Sequence, residues 1–435
     1  MKGGSFLGDA RSRLLPLWWP ARFFVAAAGM HVLAWVALAL AGETWLQAPA
    51  APGWPLAALH LLTLGVLVMS VIGASAQLLP VALRAGVPST RRLAWIWWLL
   101  LPGVLVLVSG MAAVERLWLI LGGTAVVVAL GLWGMGALRS LRTAKDLPAV
   151  RRLLRIALAS LLAALAAASA LLLAWAGVGT RLHAAWLELH RVAAPLGFMG
   201  LLVVGLSDVL LPMFVLSETP AAARQQQVGN CMTAALVLAL AAVVGRAFGL
   251  PAAAWGPSLV AATAGVALHL GSAWRCLRDG ARQPPGPWRL LLLSSWAGLC
   301  TGLGLSALSL LELAVPSAAP RLGAAWGLAL LGAWLLGIWG AMLQRVLPFL
   351  VSLHGSGRRA PTPTGLTDLR LLWAHAAGHL AALAGLALAL LLDRPGWVSP
   401  AAAVGALGAA CFAAFVYTVF RRRAAARPAV RVDGP

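Results

Sequence analysis

Acidic residues are scarce in this chain of 435 residues. It has 12 Asp and Glu against 33 Lys and Arg, and only 10% of its residues are charged, whereas 61% are hydrophobic. A soluble domain carries about 25% charged residues, so the composition excludes a soluble enzyme with a single apolar segment. The basic residues that give the net charge of +21 lie in short loops between apolar runs. This placement indicates membrane topology rather than nucleic-acid binding.

Several chemical motifs are also missing. The four cysteines are Cys231, Cys276, Cys300 and Cys411, and no two of them form a C-x-x-C pair. This spacing argues against a disulfide framework, a zinc ribbon and c-type haem attachment. The sequence also has no Walker A motif, no dinucleotide-binding fingerprint after a strand and no G-x-S-x-G, so nucleotide-driven transport and hydrolase chemistry have no support.

Long apolar runs are abundant. A helix that spans a membrane needs about 20 mostly apolar residues, and twelve such runs are present. The predicted spans are 22–42, 56–82, 93–111, 116–137, 152–177, 183–216, 230–248, 256–277, 288–315, 322–351, 368–392 and 397–420. The sequence therefore predicts an all-α integral membrane protein that forms a single polytopic membrane domain over residues 1–435, with a polar tail at 424–435.

The loops alternate in basic charge. Every second loop and both termini are basic, with Lys2, Arg11, Arg13, Arg84, Arg91, Arg92, Arg139, Arg142, Lys145, Arg151, Arg152, Arg224, Arg275, Arg278, Arg282, Arg358, Arg359, Arg421, Arg422 and Arg423. The other loops carry isolated charges only. Because basic loops stay on the cytoplasmic side, we expect a multi-pass protein of a bacterial-type inner membrane with both termini in the cytoplasm.

Three of the predicted helices end alike. Helix 2 reads GVLVMSVIGASAQLLP and ends at Pro80, helix 6 reads GFMGLLVVGLSDVLLP and ends at Pro212, and helix 10 ends GIWGAMLQRVLP at Pro348. In helices 2 and 6, glycines lie 15 and seven residues before the proline. The prolines are about four helices apart, which predicts three pseudo-repeats of four helices at about 15–150, 151–285 and 286–423.

Histidines inside the predicted spans are the main candidate ligands, because ionisable groups in a membrane are costly and point to function. His60, His183 and His190 lie toward the outer ends of helices 2 and 6. His375 and His379 lie four residues apart, on one face of helix 11, in its cytoplasmic half. Each set is open to two interpretations, namely metal or haem ligation and simple hydrogen bonding between helices.

Carboxylates within the spans are few. Glu188 lies two residues before His190 and has Arg191 three residues after it, so these two charges could pair. Asp208 lies four residues before Pro212, in the same region as Gln77 and Gln344 in the other repeat helices. This position suits hydrogen bonds to backbone groups freed by the proline, and a proton or polar path through Glu188 and Asp208 is the alternative.

Three segments resemble the haem-copper oxidase subunit I-like superfamily, in its short stand-alone branch of NnrS-like haem- and copper-containing membrane proteins. HLLTLGVLVMSVIGASAQLLPV, from His60, looks like the second helix of that branch. ELHRVAAPLGFMGLLVVGLSDVLLPMF, from Glu188, is similar to its sixth helix, and FFVAAAGMHVLAW resembles its first helix. The resemblance implies twelve helices in three arcs, a b-type haem and/or copper as cofactor, His60 as a haem ligand, and His190 or His183 as a metal ligand.

The sequence also departs from this family. Helix 7 has no histidine pair for copper, the outer half of helix 10 has no histidine, and the single tyrosine, Tyr417, lies at the far end of helix 12. Reduction of oxygen to water is therefore not expected.

The first functional hypothesis is a haem- or copper-binding membrane protein. It would act in nitric oxide response, electron transfer or metal and haem handling, with a membrane redox or metal-delivery partner. The alternatives are a secondary transporter and a non-catalytic assembly partner in the lipid bilayer.

Overall fold

The computed structural model describes residues 13–46, 51–179, 182–311, 319–355 and 361–426. Within these residues there are twelve helices that are long and apolar enough to cross a membrane. In chain order they are α1 (Trp18–Leu46), α2 (Trp54–Ala82), α3 (Thr90–Ala113), α4 (Arg116–Thr143), α5 (Pro148–Trp175), α6 (His183–Val215), α7 (Ala222–Ala247), α8 (Ala252–Asp279), α9 (Trp288–Leu310), α10 (Arg321–Leu353), α11 (Leu369–Leu391) and α12 (Pro395–Ala425).

The twelve predicted helices are confirmed, and the described part of the chain is all-α. The observed helices are mostly longer than the predicted runs, because polar residues such as Arg142 and Asp279 continue the helices beyond their apolar part. The predicted ninth span, 288–315, extends into 312–318, outside the described residues. Residues 1–12, 356–360 and 427–435 of the predicted cytoplasmic segments also lie outside them.

The contacts between helices recur every four helices. The first helix of each unit packs against the second helix, in the pairs α1–α2, α5–α6 and α9–α10. It also packs against the last helix of another unit, in the pairs α1–α12, α5–α4 and α9–α8. The third and fourth helices of each unit form the pairs α3–α4, α7–α8 and α11–α12. This pattern supports the three units of four helices that the proline spacing predicts.

The three helices with Leu-Pro endings form the centre of the bundle. In α2, α6 and α10, 67%, 72% and 67% of the most apolar stretch is buried, against 17–50% in the other nine. The helix α10 contacts both α2 and α6, and Trp339 of α10 donates an indole hydrogen bond of 2.7 Å to Ser70 Oγ of α2.

Each central helix contains a π-helical segment. The segments are Leu61–Val68, Ala193–Gly200 and Leu328–Leu336. Each segment ends 12 residues before the proline of its helix, which is Pro80, Pro212 or Pro348. A π-helical segment inserts a residue into the helix and is frequent at functional sites. The shared register gives the three helices the same irregularity at the same depth.

Candidate functional site

A cavity of about 1020 Å³ surrounds the π-helical segments. It lies in the half of the bundle where α1, α5 and α9 end and α2, α6 and α10 begin, which we call the distal half. The start of α1 and the end of α12 are in the opposite, proximal half. Trp45, Trp175 and Trp255 line the cavity near the helix ends. The lining is mostly apolar, and its ionisable residues are His60, His183, Glu188, His190 and Arg191.

His60 stands at the start of the π-helical segment of α2. Its Nδ1 donates a hydrogen bond of 2.9 Å to the carbonyl of Leu56, one turn earlier in the same helix. A carbonyl only accepts, so this bond places the ring proton on Nδ1 and leaves the lone pair on Nε2. The half-buried ring lines the cavity.

His190 of α6 has the same arrangement. Its Nδ1 donates to the carbonyl of Ala164 on α5, at 3.1 Å, and its ring lines the same cavity as His60. The structure therefore brings together the two histidines that the sequence pairs, and in both of them Nε2 is the basic nitrogen.

The register of the two histidines differs by two residues. His60 lies 20 residues before Pro80, whereas His190 lies 22 residues before Pro212, which is a difference of about 3 Å along a helix. The residue 22 positions before Pro348 in α10 is Trp326, which also lines the cavity and donates its indole N–H to Ser306 Oγ at 3.0 Å. The third central helix thus supplies an indole where α6 supplies an imidazole.

The charged residues near His190 pair differently from the sequence expectation. Glu188 accepts a hydrogen bond of 3.3 Å from Arg246 of α7, and not from Arg191. Arg191 lines the cavity and forms no ion pair within the described part of the chain. His183, at the start of α6, is exposed and lies on the cavity wall. Arg191 and His183 thus add an unpaired cation and a third imidazole to the cavity wall.

Asp208 lies elsewhere. It is 8% exposed, faces the region of Cys276 on α8, and does not line the cavity. Because Asp208 follows Glu188 by 20 residues on the same helix, the two carboxylates are about 30 Å apart along its axis. A polar path that joins them would need further groups between them.

His375 and His379 form a second, separate cluster. They lie on α11, both are 2% exposed, and neither lines the cavity. The structure adds His31 of α1, which is fully buried and whose ring centroid is 5.6 Å from that of His375. The sequence alone does not predict this third member, because His31 is 344 positions from His375 and belongs to another repeat.

Aromatic rings enclose the second cluster. The ring centroid of Phe412 is 4.8 Å from that of His375, and the ring centroid of Trp339 is 5.0 Å from that of His31. The indole N–H of Trp35 donates to His31 Nε2 at 3.0 Å. Both ring nitrogens of His379 lack a hydrogen-bond partner among the described residues.

Neither histidine set is a complete metal site with three or more protein ligands. Within the described ranges, no group of three or more His, Cys, Asp or Glu side chains is arranged to hold a metal ion. Comparison of the chain with protein-family models and with curated proteins found no match.

Proposed function

We propose that this protein is a haem-binding integral membrane protein in which His60 and His190 would hold the haem iron. The observation that carries the proposal is that both imidazoles line one apolar cavity with Nε2 as the free, basic nitrogen. Histidines that bind metals donate their other ring N–H to a backbone carbonyl or a carboxylate, as both do here.

The cavity fits a haem in size and chemistry. Its volume of about 1020 Å³ is just above the usual range for ligand sites, about 300–1,000 Å³, and is far larger than a bare ion requires. Apolar walls suit the porphyrin faces. Arg191 and His183 on the cavity wall are the groups that would receive the haem carboxylates, because Glu188 is already paired with Arg246.

His60 and His190 are the two residues that would hold the group. A b-type haem held by two histidines would supply one-electron redox chemistry. We therefore assign the protein to electron transfer, with a membrane redox partner, and not to oxygen reduction. Trp326 of α10 supports this assignment, because it supplies no further ligand in the third central helix.

The arrangement of helices favours this function over transport. Transporters commonly consist of two halves related by a pseudo-twofold axis, whereas the contacts in this bundle recur every four helices. We propose an oxidase subunit I-like scaffold in a bacterial-type inner membrane, with the proximal half toward the cytoplasm.

The test is the visible spectrum and metal content of protein purified from cells supplied with haem precursor and copper. We expect one b-type haem per chain, with at least a tenfold loss of haem in His60→Ala and His190→Ala, because even indirect contacts to a metal ligand change affinity about 10–100-fold. His269→Ala is the matched control, since His269 is a buried histidine on α8 outside the cavity. A colourless wild type, or copper in place of iron at His60 and His190, would overturn the proposal.

A further inference from the structure

The pair His375 and His379 on α11 is a second candidate site, separate from the cavity. The two rings are one helical turn apart, their centroids are 6.0 Å apart, and their planes differ by 25°. We propose that this pair binds one monovalent copper ion, Cu(I), between its two imidazoles. The proposal does not depend on haem in the cavity.

The separation of the two ring centroids lies in the range found for imidazoles that share an ion. Two imidazoles that hold one ion on opposite sides have centroids about 6 Å apart, given metal–nitrogen bonds of about 2.0 Å. Four-coordinate ions such as Zn²⁺ need further ligands, and no third His, Cys, Asp or Glu completes the pair among the described residues. Cu(I) has a filled d shell and accepts two ligands in a line, so it suits a site of this composition.

Backbone packing fixes the orientation of His375. Its Nδ1 donates to the carbonyl of Gly408 on α12, at 3.2 Å. This bond is possible because α11 and α12 touch at two glycines: a Cβ on Gly378 would lie 2.8 Å from the Cα of Gly408. On the other side of the ring, a Cβ on Gly340 would lie 3.1 Å from His375 Nε2. Nε2 therefore carries the lone pair, and Gly340 has no side chain that would crowd it.

His379 has unused binding capacity. It is 2% exposed, and neither ring nitrogen has a hydrogen-bond partner within the described ranges. Burial of an unsatisfied polar group destabilises the fold, so an ion bound at one nitrogen would offset part of that cost. Of the two residues, His375 has a hydrogen-bonded N–H and His379 does not. An ion would therefore stabilise the burial of His379 in particular.

His31 is not a third ligand, although it lies beside His375. Its Nε2 accepts the indole N–H of Trp35 at 3.0 Å, and this bond places the ring proton on Nδ1. A neutral imidazole has only one lone pair, and that of His31 is already used. His31 is therefore a neighbour that holds Trp35 in place.

Charge also favours a monovalent ion. The donors are neutral imidazoles in the interior of the bundle, and the free-energy cost of burying an ion rises with the square of its charge. Imidazole is an accepted ligand for copper. A single positive charge without a counter-ion is thus the least costly metal charge for this site.

The cavity provides a route to the pair. Trp35 lines the cavity and its ring centroid is 6.2 Å from that of His379. Leu383, one turn after His379 on α11, also lines the cavity. Trp35 thus lies next to both the cavity and His379, and the pair is close to the cavity wall.

The experiment is an anaerobic titration of the purified full-length protein with Cu(I) against a colorimetric Cu(I) chelator, with Ag⁺ as a redox-inert probe. We compare His379→Leu with His379→Met, because both have similar volume and only the thioether of Met binds Cu(I). We expect one Cu(I) per wild-type chain, at least tenfold weaker binding in His379→Leu, and recovery to within a few-fold in His379→Met.

Two further variants separate this site from the cavity. His269→Leu removes another buried histidine with an unpartnered Nδ1 and should bind Cu(I) as the wild type does. His60→Ala should lose haem and keep Cu(I), so the two proposals fail independently. A wild type that binds no Cu(I), equal binding in His379→Leu and the wild type, or loss of Cu(I) in His60→Ala would each overturn the proposal.

Discussion

Single histidines in this protein are oriented by backbone carbonyls. His60, His190 and His375 each donate Nδ1–H to a carbonyl, from their own helix, from α5 and from α12, respectively. In an apolar interior an N–H without an acceptor is costly, so a nearby carbonyl determines which nitrogen keeps the proton. The result is a set of imidazoles with Nε2 available, which is the form that ligates iron and copper.

The bond between Trp339 and Ser70 allows a prediction at this scale. Ser70→Ala removes the acceptor of a buried indole N–H, and we expect the free energy of unfolding to fall by about 1–3 kcal/mol. In the background of Trp339→Phe, where no N–H needs an acceptor, the same change should cost much less. Thermal unfolding of the four proteins in detergent measures the coupling, and equal effects of Ser70→Ala in both backgrounds would contradict it.

The central helices approach their neighbours through small residues at matched positions. A Cβ on Gly65 of α2 would lie 2.9 Å from Met30 Cβ of α1, and a Cβ on Gly197 of α6 would lie 2.7 Å from Ser160 Cβ of α5. In α10 the matched residue is Ala333, and here the glycine is on the partner, since a Cβ on Gly298 of α9 would lie 2.6 Å from Ala333 Cβ. Small residues let membrane helices pack closely. The close contact is kept in all three units, although the glycine lies on the central helix in two of them and on the neighbouring helix, α9, in the third.

Gly197→Ala tests this contact. The added methyl group would overlap Ser160, and overpacking of this kind costs about 1–3 kcal/mol, so we expect a lower midpoint of thermal unfolding. Gly271→Ala on α8 is the matched control, because a Cβ there meets nothing within 4 Å, and alanine is favoured over glycine in helices by about 1 kcal/mol. Equal destabilisation by both changes would show that the α5–α6 contact is not the cause.

The whole molecule carries its charge unevenly. Basic side chains at the proximal half outnumber the acids that pair with them, which include Asp146 with Arg84 at 3.2 Å and Asp368 with Arg422 at 2.9 Å. At the distal half, the ion pair between Arg321 and Asp393 joins α10 to the α11–α12 connection. By the positive-inside rule, this distribution predicts that the proximal half faces the cytoplasm.

Reporter fusions test the orientation of the whole bundle. Alkaline phosphatase folds only on the periplasmic side, so we expect it to be inactive at the C-terminus and active when inserted in the connection between α5 and α6. A fluorescent protein at the C-terminus should give the reciprocal result. Phosphatase activity at the C-terminus would reverse the orientation.

The sequence by itself determined the number of helices, their approximate limits and the matched endings of α2, α6 and α10. These properties depend on local composition, since about 20 apolar residues suffice for a spanning helix. The Leu-Pro endings and their glycine spacing are also local patterns, and recognising them requires no knowledge of contacts between helices. The positions of His60 and His190 near the start of repeat-related helices were also readable in this way. Their pairing at one cavity followed from the repeat.

Only the tertiary structure decided which side chains meet across helices. Glu188 pairs with Arg246 of α7 and not with Arg191, three residues later in its own helix. His31 lies beside His375, although the two residues are near opposite ends of the chain. Such pairings depend on the rotation of each helix about its axis, and a shift of one residue turns a side chain by about 100°. The π-helical segments add a further rotation within α2, α6 and α10, which periodicity in a leucine-rich sequence does not reveal because nearly every face of these helices is apolar.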